Sequence, residues 1–73
     1  MYTIIGYDKD NDVFIEYGNF EVLHYAMEKA KELKKLLDKD ELKRENGEPI
    51  DWVEVYWNYN GADEEMIWAS YEV

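Results

Sequence analysis

Residues 50–59 read IDWVEVYWNY, and this stretch predicts a β-strand more clearly than any other part of the chain. Valine, tyrosine and tryptophan favour extended structure, and successive side chains of a strand point to opposite faces of the sheet. The two sets are Val53, Val55, Trp57 and Tyr59 on one face, and Trp52, Glu54, Tyr56 and Asn58 on the other. The set without a carboxylate is expected to face the hydrophobic core.

Three further strands are predicted around turn-forming residues. Residues 2–7 (YTIIGY) and 13–17 (VFIEY) flank an acidic turn at residues 8–12 and predict a hairpin. Residues 66–73 (MIWASYEV) follow a second turn at residues 60–65 and predict the last strand, with Ile67, Ala69, Tyr71 and Val73 expected to face the helix. The inward face of the first strand stays open, because its two alternating sets are about equally apolar.

The spacing of apolar residues changes to that of a helix between the second and third strands. Leu23, Ala26, Ala30, Leu33 and Leu37 step by three and four positions, which places them on one helical face. The two alanines in this stripe are small, so the helix can lie close to bulky neighbours.

The limits of this helix are predicted from capping residues. Asn19 suits the N-cap, and Asn46 with Gly47 suits the C-cap. A helix over residues 20–45 would span about 39 Å, against about 23 Å for a seven-residue strand. It should therefore overhang the sheet, or break around residues 38–40.

The predicted element order is ββαββ in a single domain of 73 residues. This order is typical of the α+β class, with one long helix packed on one face of a four-stranded, mostly antiparallel sheet. An ordinary crossover makes the second and third strands run the same way. The turns at residues 8–12 and 60–65 would then lie at opposite ends of the sheet.

Composition excludes several classes of protein. The chain lacks cysteine, which rules out a disulfide framework and a thiolate metal site and favours a reducing cytoplasm. It has no apolar run of about 18 residues and no basic flank at its start, so neither a transmembrane segment nor a signal peptide is expected. Hydrophobic residues make up 47% and aromatic residues 16%, too many for intrinsic disorder.

The acidic charge is large and unevenly distributed. Eighteen acids against eight bases give a formal net charge of -10. Residues 1–24 carry -4 and residues 46–73 carry -7 without a lysine or arginine, whereas residues 25–45 carry +1. Such a chain is expected to avoid nucleic acid and anionic membranes and to bind basic partners.

The sheet face turned away from the helix is the predicted partner-binding surface. It would combine large apolar side chains with carboxylates, namely Phe14, Trp52, Tyr56, Met66 and Trp68 interleaved with Glu16, Glu54 and Glu72. The turns would add Asp8, Asp10 and Asp12 at one end and Asp63, Glu64 and Glu65 at the other. Exposed aromatic patches usually mark interaction surfaces, although scattered exposed aromatics are also ordinary.

No catalytic or metal site is predicted. Residues 8–12 have the Asp-x-Asp-x-Asp spacing that opens a calcium loop, but Val13 stands where the loop needs glycine and Asn19 where it needs glutamate. The one histidine, His24, lies four residues before Glu28, as on an ordinary helix surface. Neither a Gly-x-Ser-x-Gly elbow nor a Gly-rich phosphate loop occurs. We therefore expect a non-enzymatic protein without a metal or cofactor.

Two functions fit these features. The first is an acidic inhibitor that occupies the basic, nucleic-acid-binding surface of a partner protein, as a DNA mimic would. In general character the chain resembles small, acidic, cysteine-free phage or mobile-element products that block host defence nucleases, and no motif ties it to one family. The second is a small structural or regulatory homodimer that uses its aromatic sheet face as the interface.

Overall fold

The computed structural model describes residues 1–72 and confirms the ββαββ order of an α+β fold. The elements are β1 (Tyr2–Asp8), β2 (Val13–Phe20), α1 (Leu23–Asp38), β3 (Trp52–Trp57), β4 (Glu65–Ala69) and a short 3-10 turn (Ser70–Glu72). The fourth strand is shorter than predicted because the chain turns at Ser70. Val73, predicted to end that strand, lies outside the described residues.

The four strands form one antiparallel sheet in the order β2-β1-β3-β4. Both β2 and β3 run antiparallel to β1, so they run in the same direction, as predicted. The β1–β2 turn and the β3–β4 turn therefore lie at opposite ends of the sheet. We call the face that packs against α1 the core face, and the opposite face the open face.

The hydrophobic core lies between the core face and α1. Its buried members are Ile4, Val53 and Val55 from the sheet, Ala26, Ala30 and Leu33 from α1, and Leu42 and Ile50 from the loop that follows. The alternation predicted for β3 and the helical stripe are confirmed, because the β-branched set of β3 meets the alanines of α1. The same cluster resolves the ambiguity of β1, since Ile4 lies on the core face and Ile5 on the open face.

The helix is much shorter than predicted at both ends. Asn19 does not cap it, because β2 continues to Phe20 and the N-cap is Val22 without a side-chain hydrogen bond. At about 1.5 Å per residue, its 16 residues span about 24 Å, close to the length of a strand. It therefore matches the sheet and does not overhang it.

The helix ends at the break that the sequence offered as the alternative. Asp40 adopts a left-handed conformation (φ 56°) and its N–H donates to the Leu37 carbonyl at 3.0 Å. The Glu41 N–H donates to the Leu36 carbonyl at 2.8 Å, which completes a Schellman motif with aspartate in the usual glycine position. The predicted end near Asn46 was wrong, since that residue belongs to a turn in the next loop.

A β-bulge in β4 reverses the faces predicted for the end of the chain. The register pairs Val55 with Trp68 and Tyr56 with Met66, so Ile67 is an extra residue without an opposite partner. Paired residues share a face, so Met66 lies on the open face as predicted. Trp68 lies on the core face and packs against the core, and its predicted place on the open face was wrong.

Candidate functional site: the open face of the sheet

Four aromatic side chains form a continuous row across the open face. Phe14, Tyr7 and Trp52 are neighbours in the register of β2, β1 and β3, and Tyr71 continues the row beyond Trp52. Successive ring centroids are 4.6, 4.7 and 5.7 Å apart, the distances of packed aromatic pairs. The end members are more than half exposed, Phe14 at 58% and Tyr71 at 56%. We call these four residues the aromatic row.

The bulge and the 3-10 turn bring Tyr71 to this row. Beyond the bulge, Ala69 pairs with Glu54 of the open face. The Val53 N–H then donates to Ser70 Oγ at 3.0 Å, so a side chain replaces the next backbone partner and anchors the turn. Tyr71 was predicted on the core face and instead lies on the open face, where its hydroxyl contacts Glu54.

Glu54 lies buried beside the aromatic row. It is two residues from Trp52 along β3, on the same face, and is only 8% exposed. Its Oε1 accepts a hydrogen bond from the Tyr56 hydroxyl at 3.3 Å, and its Oε2 accepts one from the Tyr71 hydroxyl at 3.0 Å. Within residues 1–72, the four ion pairs do not include this carboxylate.

The tyrosines of the open face remain protonated donors far above neutral pH. Burial, followed by the charge and hydrogen bond of Glu54, raises the pKa of Tyr56 to about 12. The hydrogen bond to Glu54 is the main cause that raises the pKa of Tyr71, and the bond to Asp12 does the same for Tyr7. The negative charge of this face therefore belongs to its carboxylates.

A second row of side chains lies one pleat away from the aromatic row. Ile5 pairs with Glu16 on one side and Glu54 on the other. It is only 2% exposed, although α1 packs on the opposite face of the sheet. At the edge, Asn19 Nδ2 donates to Glu16 Oε1 at 2.6 Å and holds this exposed carboxylate in place.

Acidic residues occupy both ends of the sheet. At the β1–β2 end, the Tyr7 hydroxyl donates to Asp12 at 2.7 Å and Asp51 accepts the Lys9 N–H at 2.6 Å, while Asp10 is exposed. At the β3–β4 end, the exposed residues 63–65 follow one another, and Glu64 accepts the Asn60 N–H at 2.8 Å. Hydrogen bonds from the backbone or a neighbouring ring thus hold several of these carboxylates at defined positions.

Within residues 1–72, the ion pairs lie on the helix side of the sheet. Three ion pairs lie along α1, joining His24 to Glu28, Lys29 to Glu32 and Lys34 to Asp38. The fourth joins Arg44 to Asp8. In the described part of the chain, the exposed acids of the two turns and of the open face take part in none of these pairs.

Asp8 was predicted to bind a partner, and the structure makes it a core-face residue. It is fully buried at the end of β1, where Arg44 Nη1 lies 3.0 Å from its Oδ2 and Asn11 donates from both its side chain and its backbone. The hydrogen bonds from Asn11, together with Arg44, hold the pKa of this carboxyl below its ordinary value. Asp8 therefore stabilises the fold and offers no accessible oxygen to a partner.

The remaining predicted residues fall into three groups. The structure gathers Phe14, Glu16, Trp52, Glu54 and Tyr56 on the open face, Asp10 and Asp12 at its near end, and Asp63, Glu64 and Glu65 at its far end. Glu72 is exposed in the 3-10 turn. Tyr59, predicted on the core face, lies beyond β3 and packs against Tyr56 with ring centroids 5.3 Å apart.

Sequence reasoning missed Tyr7 and Tyr71 as members of this site. Tyr7 joins it because β1 lies between β2 and β3, which places its ring between Phe14 and Trp52. The strand order carries this information, and no local pattern in residues 2–7 reveals it. The position of Tyr71 depends on the bulge at Ile67, for which the alternation in β4 offers no signal.

The rest of the described chain offers little else for a ligand. An open cleft of about 420 Å³ lies beside β2, lined by Ile15, Tyr17 and residues 43–46. Among residues 1–72 no three or more His, Asp or Glu side chains are grouped so as to hold a metal ion. Helix α1, the one α-helix in the described residues, is too short and too polar to cross a membrane.

Comparison with protein-family models, with curated proteins and with solved structures finds no match to this chain. Its function is therefore argued from the geometry and charge of the open face.

Proposed function

We propose that this protein is an acidic binding module that occupies the basic, nucleic-acid-binding surface of another protein. One observation supports this above the others. The exposed acids of the open face and of the two turns have no lysine or arginine partner within residues 1–72, whereas two acids of α1 are paired with lysines and a third contacts the histidine. Unpaired carboxylates on one side of a molecule create a negative field that a basic surface neutralises on binding.

The spacing of the acidic ends suits competition with nucleic acid. The six residues of β3 connect the two ends and span about 20 Å. A DNA strand places one phosphate about every 3.4 Å along the helix axis, so this distance corresponds to about six phosphates. Carboxylates held on a hydrogen-bonded sheet could therefore meet several phosphate-binding side chains of the partner at once.

Direct binding of nucleic acid is not proposed, although aromatic rows on sheets also stack against bases. Surfaces that bind single strands combine such rings with lysine and arginine along the phosphate path. Here the row is flanked by Asp12, Glu16 and Glu54, and the chain carries a net charge of -10. These charges would repel phosphates and attract the basic surfaces of proteins that bind phosphates.

Release of proteins from immobilised DNA tests this function. Bacterial DNA-binding proteins would be loaded on DNA-cellulose and eluted with the wild-type protein in buffer of constant ionic strength. Each released protein would then be purified and its binding to a labelled DNA duplex measured with and without the acidic chain. We expect specific release that weakens steeply as salt is added, because the contacts are ionic.

Two triple variants of equal net charge distinguish an effect of the acidic end of the sheet from an effect of net charge alone. Asp63→Asn, Glu64→Gln and Glu65→Gln together neutralise one acidic end, while Glu28→Gln, Glu32→Gln and Asp38→Asn together neutralise acids of α1. We expect the first variant to lose the release activity and the second to keep it. Equal activity of the two variants, or no release by the wild type, would contradict the proposal.

A homodimer through the open face is the second candidate, favoured by the exposure of Phe14 and Tyr71 at the ends of the aromatic row. It predicts a stable dimer in light scattering at both low and high salt, and a monomer after Trp52→Ala. A monomeric wild type at both salt concentrations would exclude the dimer and leave the open face free for a foreign partner.

A further inference from the structure

Within residues 1–72, two carboxylate side chains are buried, and their hydrogen-bond partners differ in charge. Asp8, on the core face, is fully buried and paired with the guanidinium of Arg44. Glu54, on the open face, is nine-tenths buried, and both of its hydrogen-bond donors are neutral phenols. Carboxylates are rarely buried without a cation, since the lost hydration is otherwise uncompensated. Within residues 1–72, no cation is paired with Glu54.

We propose that the open face binds an arginine side chain of the partner protein, with the guanidinium stacked on the aromatic row and paired with Glu54. This proposal rests on the function proposed above, and it names the chemical group of the partner protein that the centre of the open face binds. Arg44 already makes the corresponding pair with Asp8, in which Nη1 lies 3.0 Å from Oδ2.

The geometry around Glu54 suits a guanidinium. Residues two apart on a strand are about 7 Å apart, and the exposed Tyr71 ring packs against Trp52 while its hydroxyl bonds Glu54. A planar group lying on the Tyr71 ring therefore has its edge within reach of the Glu54 oxygens. Tyr71 is more than half exposed and can yield its hydrogen bond at Oε2 to an incoming N–H. A guanidinium stacks on aromatic faces and offers five N–H donors in one plane, whereas an ammonium offers neither advantage.

Further carboxylates surround this point and favour a basic segment over an isolated arginine. Glu16 lies at the β2 edge of the same row as Glu54, and Asp12 is bonded to the Tyr7 hydroxyl on the other side of the aromatic row. Positive residues that flank the arginine would meet these charges.

A second copy of this chain cannot supply the group. The sequence contains one arginine, Arg44, and it is bound to Asp8. A dimer that used it would leave a fully buried carboxylate without its cation. The arginine must therefore come from a different protein.

The test uses two peptides of equal charge, hexa-arginine and hexalysine, titrated into the isotopically labelled full chain. Affinity is measured by calorimetry, and the indole N–H signals of Trp52, Trp57 and Trp68 report where the peptide binds. We expect hexa-arginine to bind about tenfold more tightly than hexalysine and to shift the Trp52 signal most. Equal affinities, or a larger shift at Trp57 or Trp68, would overturn the proposal, and this mapping requires no variant.

Two single variants with the same change of charge complete the test. Glu54→Gln keeps an acceptor for the tyrosine hydroxyls and removes the charge, and Glu65→Gln removes an exposed charge at the far end of the sheet. We expect Glu54→Gln to reduce hexa-arginine affinity about tenfold and Glu65→Gln about twofold or less. Equal losses would mean that net charge alone attracts the peptide, which would overturn the arginine site.

Failure of the two proposals can be told apart. If the wild type releases nothing from DNA-cellulose but hexa-arginine binds at Trp52 with the expected preference, the DNA-site function fails and the arginine site stands. If release occurs and Glu54→Gln releases proteins as well as the wild type, the function stands and the arginine site fails.

Discussion

The two faces of the sheet each bury an acidic side chain, but with different partners. On the core face, Asp8 is buried and paired with Arg44, which lies in the loop after α1. Its charge is therefore neutralised within the chain. On the open face, Glu54 is held by two tyrosine hydroxyls and is paired with no cation from residues 1–72. The difference separates a carboxylate whose cation comes from the chain itself from one held only by neutral donors. The proposed arginine site would give Glu54 the cation that Asp8 already has.

The largest effect on stability is expected from Arg44→Met, which keeps much of the side chain and removes the cation. Asp8 would then remain fully buried without its partner, and we expect a larger loss in the free energy of unfolding than for any variant below. Urea denaturation at pH 7 measures this loss.

The pH dependence of that loss identifies Asp8 as its source. Asn11 and Arg44 lower the pKa of Asp8 in the folded state, so the stability it contributes is present above its ordinary pKa of about 4 and is lost as pH falls through the lowered value. The deficit of Arg44→Met should therefore narrow between pH 7 and pH 3, because Asp8 without the cation takes up its proton at a higher pH than in the wild type. A deficit that is the same at pH 3 and pH 7 would indicate lost packing of the arginine stem.

A second comparison separates two tryptophans that the sequence assigned to the same face. Trp68→Ala removes a ring that packs against the core, and we expect a loss of about 3 kcal/mol. Trp52→Ala removes a half-buried member of the aromatic row, and we expect about 2 kcal/mol. Only Trp52→Ala should also weaken hexa-arginine binding. The assignment of faces fails if Trp68→Ala is the variant that loses binding at unchanged stability.

Alkaline pH is expected to lower the stability of the fold mainly through the tyrosines of the open face. The raised pKa of Tyr56, about 12 against an ordinary 10, means that its stabilising contribution is present below pH 10 and is lost as pH rises towards 12. After allowance for screening by water at this half-exposed site, we expect Tyr56 to account for about 1 kcal/mol of the loss. Denaturation at pH 8 and pH 11.5 should therefore show a smaller decline in Tyr56→Phe than in the wild type. Equal declines would mean that other tyrosines cause the loss of stability at alkaline pH.

The smallest effects are expected from two exposed glutamates whose removal changes the net charge equally. Glu32 lies 3.6 Å from Lys29 on α1, so Glu32→Gln should cost about 0.2 kcal/mol. Glu65 lies at the acidic β3–β4 end, so Glu65→Gln should increase stability by a few tenths of a kcal/mol through relief of repulsion. Both differences should shrink in 1 M salt. The same sign for both variants would contradict the contrast between a balanced helix and an unbalanced acidic end of the sheet.

Local patterns predicted most of the fold. Alternation in residues 50–57 and the helical stripe each assigned the correct face, because burial favours one face of each element and no later feature disturbs their register. The same reasoning failed for Trp68, since the bulge at Ile67 depends on how β4 pairs with β3. A register shift of one residue moves every following side chain to the other face.

The helix end and Asp8 show a different limit of sequence reasoning. Asn46 with Gly47 is a stronger helix-stop signal than Asp40. The helix nevertheless ends just before Asp40, because the loop that follows then supplies Leu42 and Ile50 to the core. The local sequence places Asp8 in an acidic turn, because the arginine that pairs with it lies 36 residues away. Contacts between residues distant in sequence decided both outcomes.

The uneven distribution of charge has a consequence for the speed of binding. The lysines of α1 lie behind the sheet, and the acids outside the four ion pairs of residues 1–72 lie on its open face and at its ends, so the molecule carries an electric dipole directed from the sheet towards the helix. A basic surface would rotate the approaching molecule before contact, so that it arrives with the open face forward. Steering of this kind raises association rates to about 10⁸–10⁹ M⁻¹s⁻¹ at low ionic strength, against about 10⁵–10⁶ without it. The protein would thus reach a newly exposed basic site quickly even at low concentration.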